Sequence, residues 1–165
     1  MHRWESPPLL AHAWADGPDA HSSRAAYLPR GRVLTLPGLR GPLRVGVLGG
    51  ADSVLDARMR SLGNHWWPDE EVITSDDVNR LLTNAAAVGG WDLLLTHSPP
   101  ASVTEVMTRG GTPHPSALLV EDAWRALGGG VADPPMELLA GHMHESWSSE
   151  SLRVEVLTMF GVAIR

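Results

Sequence analysis

Two apolar runs too short to be helices, each closed by a histidine, constrain this chain more than any other feature. Asp92-Leu93-Leu94-Leu95 runs into Thr96-His97-Ser98-Pro99-Pro100, and Met136-Glu137-Leu138-Leu139-Ala140 runs into Gly141-His142-Met143-His144. Runs of this length read as buried strands. Both strands then finish in histidine, and neutral imidazole is the commonest protein metal ligand. In an extended segment residues two apart point to the same side, so His142 and His144 face one pocket, and Gly141 lets the backbone approach it closely. If the two strands are neighbours, His97 joins them. Three nitrogen donors then meet at the carboxyl ends of strands, where open α/β sheets bind their ligands.

A plainer reading stands beside this one. The chain has eight histidines, and a lone His-x-His is ordinarily solvated or hydrogen-bonded locally. His12, His21 and His114 lie in Pro/Gly/Ser-rich stretches and read as solvated loop residues, and His65 sits beside two tryptophans. The strand-end setting is what separates His97, His142 and His144 from the rest.

The length of 165 residues suits one domain with a real core. The formal net charge is −6, with no basic run that would mark a nucleic-acid or membrane surface. No apolar stretch is long enough to span a bilayer, and the N-terminus lacks a signal-peptide core, so a cytoplasmic location is the expectation. Cysteine is absent, which excludes disulfides and leaves His, Asp, Glu and Asn as the available metal ligands.

Residues 1–32 are loop-rich, punctuated by Pro7-Pro8, Gly17-Pro18 and Pro29-Arg30-Gly31. Val33-Leu34-Thr35-Leu36 and Leu43-Arg44-Val45-Gly46-Val47-Leu48 read as strands, joined as a hairpin through Pro37-Gly38. Gly49-Gly50-Ala51-Asp52-Ser53 is a tight exit loop. Ser75 or Asp76 caps a helix over 76–88 with Val78, Leu81, Leu82 and Ala85 on its apolar stripe. Residues 101–115 form a loop or broken helix. Ser116 caps a second helix to 127, with Leu118, Leu119, Ala123 and Leu127 as core positions. Strands are expected near 91–96, 136–141 and 152–157, with Phe160 to Ile164 as a possible last one. The class is α/β, with both histidine motifs on strand-exit loops.

These motifs resemble the calcineurin-like metallophosphoesterases over most of the chain, from about Tyr27 to the end. Thr96-His97-Ser98-Pro99-Pro100 is similar to the family's Thr-His-x-x-Pro segment and Gly141-His142-Met143-His144 to its Gly-His-x-His segment. The stretch from Gly49-Gly50-Ala51 through Arg58, Arg60, Gly63, Trp66-Trp67-Pro68 and Glu70 resembles one bacterial and phage branch. The resemblance implies a four-layer α/β/β/α sandwich and a site with two divalent ions bridged by a carboxylate and a water or hydroxide. His97 and His142 would bind one ion and His144 the other, with Mn, Fe, Ni or Zn suiting such donors. The implied activity is hydrolysis of a phosphomonoester or phosphodiester.

The family's Asp-x-His, Gly-Asp-x-x-Asp and Gly-Asn-His-Asp/Glu segments, which supply most of the carboxylates and the ligand Asn, are absent here. Met1-His2-Arg3-Trp4 is the nearest match to Asn-His-x-Trp, which would make His2 the histidine near the leaving group. Met1 then stands where the Asn belongs, and Met is no substitute for a hard-metal ligand. The expectation is therefore a single, partial phosphoesterase domain over 1–165, poorly active alone. Two alternatives stay open: a non-catalytic remnant or interaction module, and one half of a split enzyme whose missing N-terminal half comes from another chain across an open sheet edge. Asp52, Asp56 and Asp69 read as loop or capping residues, Asp69-Glu70-Glu71 as a solvated face or helix start, and Trp66-Trp67-Pro68 as a loop wedge over the sheet.

Overall fold

Leu93-Leu94-Leu95 cannot bury all its side chains as a lone strand; it needs neighbours on both edges and packing on its faces. The computed structural model, which describes residues 28–39, 41–52, 71–129 and 136–158, provides them. In chain order the elements are strands β1 (Arg32–Gly38) and β2 (Gly41–Leu48), helix α1 (Ser75–Val88), strand β3 (Leu93–Thr96), helices α2 (Ala101–Met107) and α3 (Pro115–Ala126), and strands β4 (Glu137–Ala140), β5 (Trp147–Ser149) and β6 (Val154–Val156). The strands form one sheet in the order β1-β2-β3-β4-β6-β5. Its four central strands, β2, β3, β4 and β6, run parallel, and β1 and β5 flank them antiparallel. This is a mixed α/β fold, with one sheet among the described residues.

Register sorts the side chains into two faces. Gly46 pairs with Leu94, Leu94 with Leu138 and Leu138 with Val154, so these four share a face. That face carries the core: Leu48, Leu94, Leu138, Ala140, Val154 and Val156 join Val78, Leu81 and Ala85 of α1, Val103 of α2 and Val120, Ala123 and Trp124 of α3 in one cluster. Gly46 is what lets α1 sit so close. A Cβ there would lie 3.2 Å from Leu94 Cδ1 and Trp91 Cε3, and 3.3 Å from Leu81 Cδ1. Each fully buried large side chain in such a cluster contributes about 1.5–3 kcal/mol, and Trp91, Trp124, Leu48, Leu81, Leu94 and Leu138 are among the largest of them.

The helix ends differ from the sequence expectation in instructive ways. The N-cap of α1 is Thr74, whose hydroxyl accepts the Asp77 N–H at 3.2 Å, while Asp77 Oδ2 accepts the Thr74 N–H at 3.0 Å. This reciprocal box satisfies two otherwise orphaned donors, which neither Ser75 nor Asp76 would do. For α3 the N-cap is His114, with Pro115 in the first turn and Ser116 already helical and buried. Its buried face is Ser116, Ala117, Val120, Ala123 and Trp124, while Leu118 is 51% exposed. Of the expected core positions Ala123 is buried and Leu119 and Leu127 pack against the core, whereas Leu118 faces out. Residues 101–107 form a true helix. β5 was not anticipated. The Trp66-Trp67-Pro68 segment, Asp56, Asp69, His65 and Phe160 to Ile164 lie outside the described residues.

The end of the sheet away from the histidines carries the Arg44–Asp92 ion pair. Asp92 accepts from the Arg44 backbone N–H at 2.7 Å and from its guanidinium at 3.0 and 2.6 Å. The Arg44 guanidinium also donates to the Gly89 carbonyl, tying the end of α1 to β2. The Arg44 guanidinium bonds hold the Asp92 carboxyl below its ordinary value against the opposing effect of burial, and the Arg44 backbone N–H and charge add to this. A depressed carboxyl pKa contributes stability that is full above the unfolded value, about 3.9, and is lost as pH falls through the lower folded value. Asp92→Asn should cost about 1–2 kcal/mol at pH 7 in urea unfolding, and the gap to wild type should close below pH 4. A gap that persists unchanged at pH 2.5 would show that the ion pair is not its source.

Candidate functional site

Because β2, β3 and β4 are parallel neighbours, their carboxyl ends open onto one rim. Leu48 pairs with Thr96 and Leu95 with Leu139, so the three exits leave almost level. Backbone bonds continue beyond the strands. The Gly141 N–H donates to the His97 carbonyl at 2.9 Å, the Ser98 N–H to the Gly50 carbonyl at 3.3 Å, and the Leu157 N–H to the Ala140 carbonyl at 2.8 Å. The exits Gly49–Asp52, His97–Ser98 and Gly141–His144 are thus held side by side. The imidazoles of His97 and His142 meet there edge to face, with ring centroids 5.1 Å apart and planes at 67°. His97 is only partly open to solvent, His142 is half-buried and His144 is exposed.

The backbone that delivers His142 and His144 is not an extended strand. β4 ends at Ala140, and both histidines take left-handed conformations, with φ of 70° and 59°. The Met143 N–H turns back onto the Gly141 carbonyl at 2.8 Å. Simple strand alternation is therefore not what aims the two rings; a bent turn does. Non-glycine residues in this region cost roughly 1–2 kcal/mol each, and such strain is typical of functional sites. Close approach of the backbone is not required at Gly141, where a Cβ would sit 3.7 Å from His97 Nδ1, an ordinary contact. It is required at Gly50, where φ is 130° and a Cβ would lie 2.5 Å from the Glu71 carbonyl oxygen.

Burial holds the His97 imidazole below the usual histidine range; the nearby His144 adds to this, and the Glu71 carboxylate opposes it. Burial likewise lowers His142, reinforced by His97, His114 and His144 and opposed by Asp52. Both shifts favour the neutral ring, the state in which imidazole binds metal. Two imidazoles on one ion at about 2.0–2.1 Å have centroids roughly 5 Å apart, a separation this pair matches, as an edge-to-face ring contact also does. Among the described residues, no group of three or more His, Asp or Glu is gathered closely enough to hold an ion as placed.

No protein-family model, curated protein or solved structure matches the chain. The site must be read from its own geometry. That geometry brings His97 and His142 together and sets His144 within electrostatic reach of both. His2 lies outside the described residues. Three neighbours were not foreseen as part of the rim: Asp52, Glu71 and His114. Asp52 does cap a helix, accepting the Ser116 N–H at the start of α3 at 2.7 Å, but this also places it beside His142. Glu71 is half-buried, with one carboxylate oxygen fully enclosed. His114 is the exposed N-cap of α3 rather than a free loop residue. A signal existed only for Asp52, in its position at the exit of β2.

The left-handed turn makes a separable prediction. His144→Gly removes an exposed ring and relieves positive-φ strain, so it should raise unfolding stability by about 0.5–1 kcal/mol in urea titration. A loss of stability would mean that the His144 ring supports the fold, and that the turn is not strained in its favour.

Proposed function

We propose that this chain is the histidine-bearing part of a metal-dependent phosphoesterase, acting on a phosphomonoester or phosphodiester. The observation that carries the reading is the His97–His142 pair, 5.1 Å apart at the level ends of adjacent parallel strands. The motif order Thr-His-x-x-Pro then Gly-His-x-His, which resembles that of calcineurin-like phosphoesterases, supports it. His97 and His142 would hold one divalent ion, and His144, on the same turn, would serve a second. Bound divalent cations in such a site polarise phosphoryl oxygens and activate water near neutral pH. The chain's own share is narrower. It would supply imidazole donors from a rim braced by three strand exits.

The finer fold assignment, a four-layer sandwich, finds support on the second face of the sheet. Leu34, Val45, Val47, Leu93, Leu95 and Leu139 alternate with the core set and so point away from it. Val45 and Val47 are buried and the four leucines half-buried. The face turns polar toward β6, where Arg153 pairs with Glu137. A sheet apolar on both faces is built to be packed on both, and a second sheet would meet that need. We place the protein in the cytoplasm, in line with the expectation from its sequence; among the described residues no helix is long and apolar enough to cross a membrane.

The carboxylate ligands that the family's other segments supply are missing, and with them the group that keeps two cations in register. The 165-residue chain with added Mn²⁺ should therefore hydrolyse chromogenic phosphate mono- and diesters at close to background rate. It should still bind Mn²⁺, and His97→Ala or His142→Ala should weaken that binding by more than about tenfold. Robust turnover abolished by His144→Ala would show that the missing carboxylates are dispensable. Binding indifferent to both alanine substitutions would remove the metal reading.

A further inference from the structure

The turn that leaves β2 is held from three sides by hydrogen bonds. The Gly50 carbonyl accepts the Ser98 N–H at 3.3 Å, the Ala51 N–H donates to the Glu71 carbonyl at 3.1 Å, and Asp52 Oδ2 accepts the Ser116 N–H at 2.7 Å. Ser116 closes the circuit, since its hydroxyl accepts the Ile73 N–H at 3.4 Å. The bond to Asp52 is the shortest of the four, as a carboxylate acceptor allows. It also answers a need of α3. Pro115 has no N–H, so Ser116 carries the first orphan donor of that helix, and the side chain of the N-cap, His114, does not cap it. At the other end of the turn Ser98 is buried. Its N–H has no water to turn to if the Gly50 carbonyl moves. Gly50 itself gives little room, since a Cβ there would lie 2.5 Å from the Glu71 carbonyl oxygen. A displacement of Asp52 is therefore passed along the turn to Ser98, the residue after His97.

We propose that Asp52 is a positioning residue of this site: by capping α3 at Ser116 it holds the Gly50 carbonyl on the Ser98 N–H, and so fixes where His97 leaves β3. The role rests on the metal-site reading above but adds a residue that the histidine motifs do not contain. Asp52 is 45 positions from His97 and 64 from Ser116 in sequence, and only the fold joins them. It acts through its acceptor oxygen, neither as a ligand nor through its charge. Two consequences follow. An amide at position 52, which keeps an acceptor oxygen and loses the charge, preserves the site, whereas a methyl group does not. The Ser98 and Ser116 amides belong to one circuit and open together. The Leu157 N–H, bonded to the Ala140 carbonyl at 2.8 Å on the far side of β4, lies outside that circuit.

The test is amide hydrogen exchange, read by NMR on the full ¹⁵N-labelled chain at pH 7 without metal, followed by calorimetric titration with Zn²⁺. In wild type the Ser98 and Ser116 amides should be protected to within about threefold of each other. Asp52→Ala should speed Ser98 exchange by about tenfold or more, leave Leu157 unchanged, and weaken Zn²⁺ binding by about 10–100-fold. Asp52→Asn should keep both properties near wild type. A folded Asp52→Ala that retains wild-type Ser98 exchange, or that still binds Zn²⁺ as wild type does, would overturn the proposal and leave Asp52 as a helix cap alone. An Asp52→Asn chain that loses as much Zn²⁺ affinity as Asp52→Ala would overturn it too, since charge or direct ligation would then be the role. Free exchange of Ser98 beside a protected Ser116 in wild type would do so without any variant. If Ser98 follows position 52 as described yet no form binds Zn²⁺, the circuit stands and the metal-site reading fails.

Discussion

The level ends of three parallel strands are the constraint on which the rest of this structure depends. β2, β3 and β4 run side by side, and their pairings stop within one residue of each other at Leu48, Thr96 and Leu139. Burial enforces that register. A one-residue slip of β3 would carry Leu94 off the helix-covered face and put Leu93 and Leu95 into the core in its place. Because the register is held in this way, the chain can place His97, Gly141 and Gly50 next to one another without any direct side-chain scaffold between them. The helices add weight rather than position. They cover one face, and Gly46 is the concession the sheet makes to admit α1.

On that rigid base sits a strained turn. His142 and His144 both adopt left-handed backbone conformations that glycine would tolerate at less cost. A chain selected for stability alone has little reason to keep two histidines there. The electrostatics point the same way. Burial lowers the His97 and His142 rings, His144 adds to both shifts and His114 to that of His142, and the carboxylates of Glu71 and Asp52 oppose them. Neutral nitrogen donors backed by carboxylates are the chemistry that a borderline divalent cation selects.

Much of the fold was legible in the sequence, and the exceptions have physical causes. The strands at 93–96 and 137–140 and the helix at 75–88 were readable because length and apolar period agree there. β5 was not, since Trp147-Ser148-Ser149 has one apolar residue and is made a strand only by pairing with β6. On α3, Ala123, Leu119 and Leu127 reach the core as expected, but Leu118 does not: it looks like core by type, whereas the centre of the buried face is Val120 and Trp124. At the site, the two histidine motifs announced themselves by position after a strand. Their turn geometry did not, because Gly141 suggested extended backbone and the strain lies one and three residues later. Glu71 carried no local signal at all, since only the fold brings it to Gly50 and Ala51 at the exit of β2.

A rim that holds two imidazoles at ligand spacing makes one claim above all others, that His97 and His142 bind the same ion. X-ray absorption at the zinc edge of the chain loaded with one equivalent of Zn²⁺ tests this most directly. The account predicts at least two imidazole ligands at about 2.0 Å, with one lost in His97→Ala and one in His142→Ala. A zinc environment of oxygen alone, or one unchanged by either substitution, would contradict it.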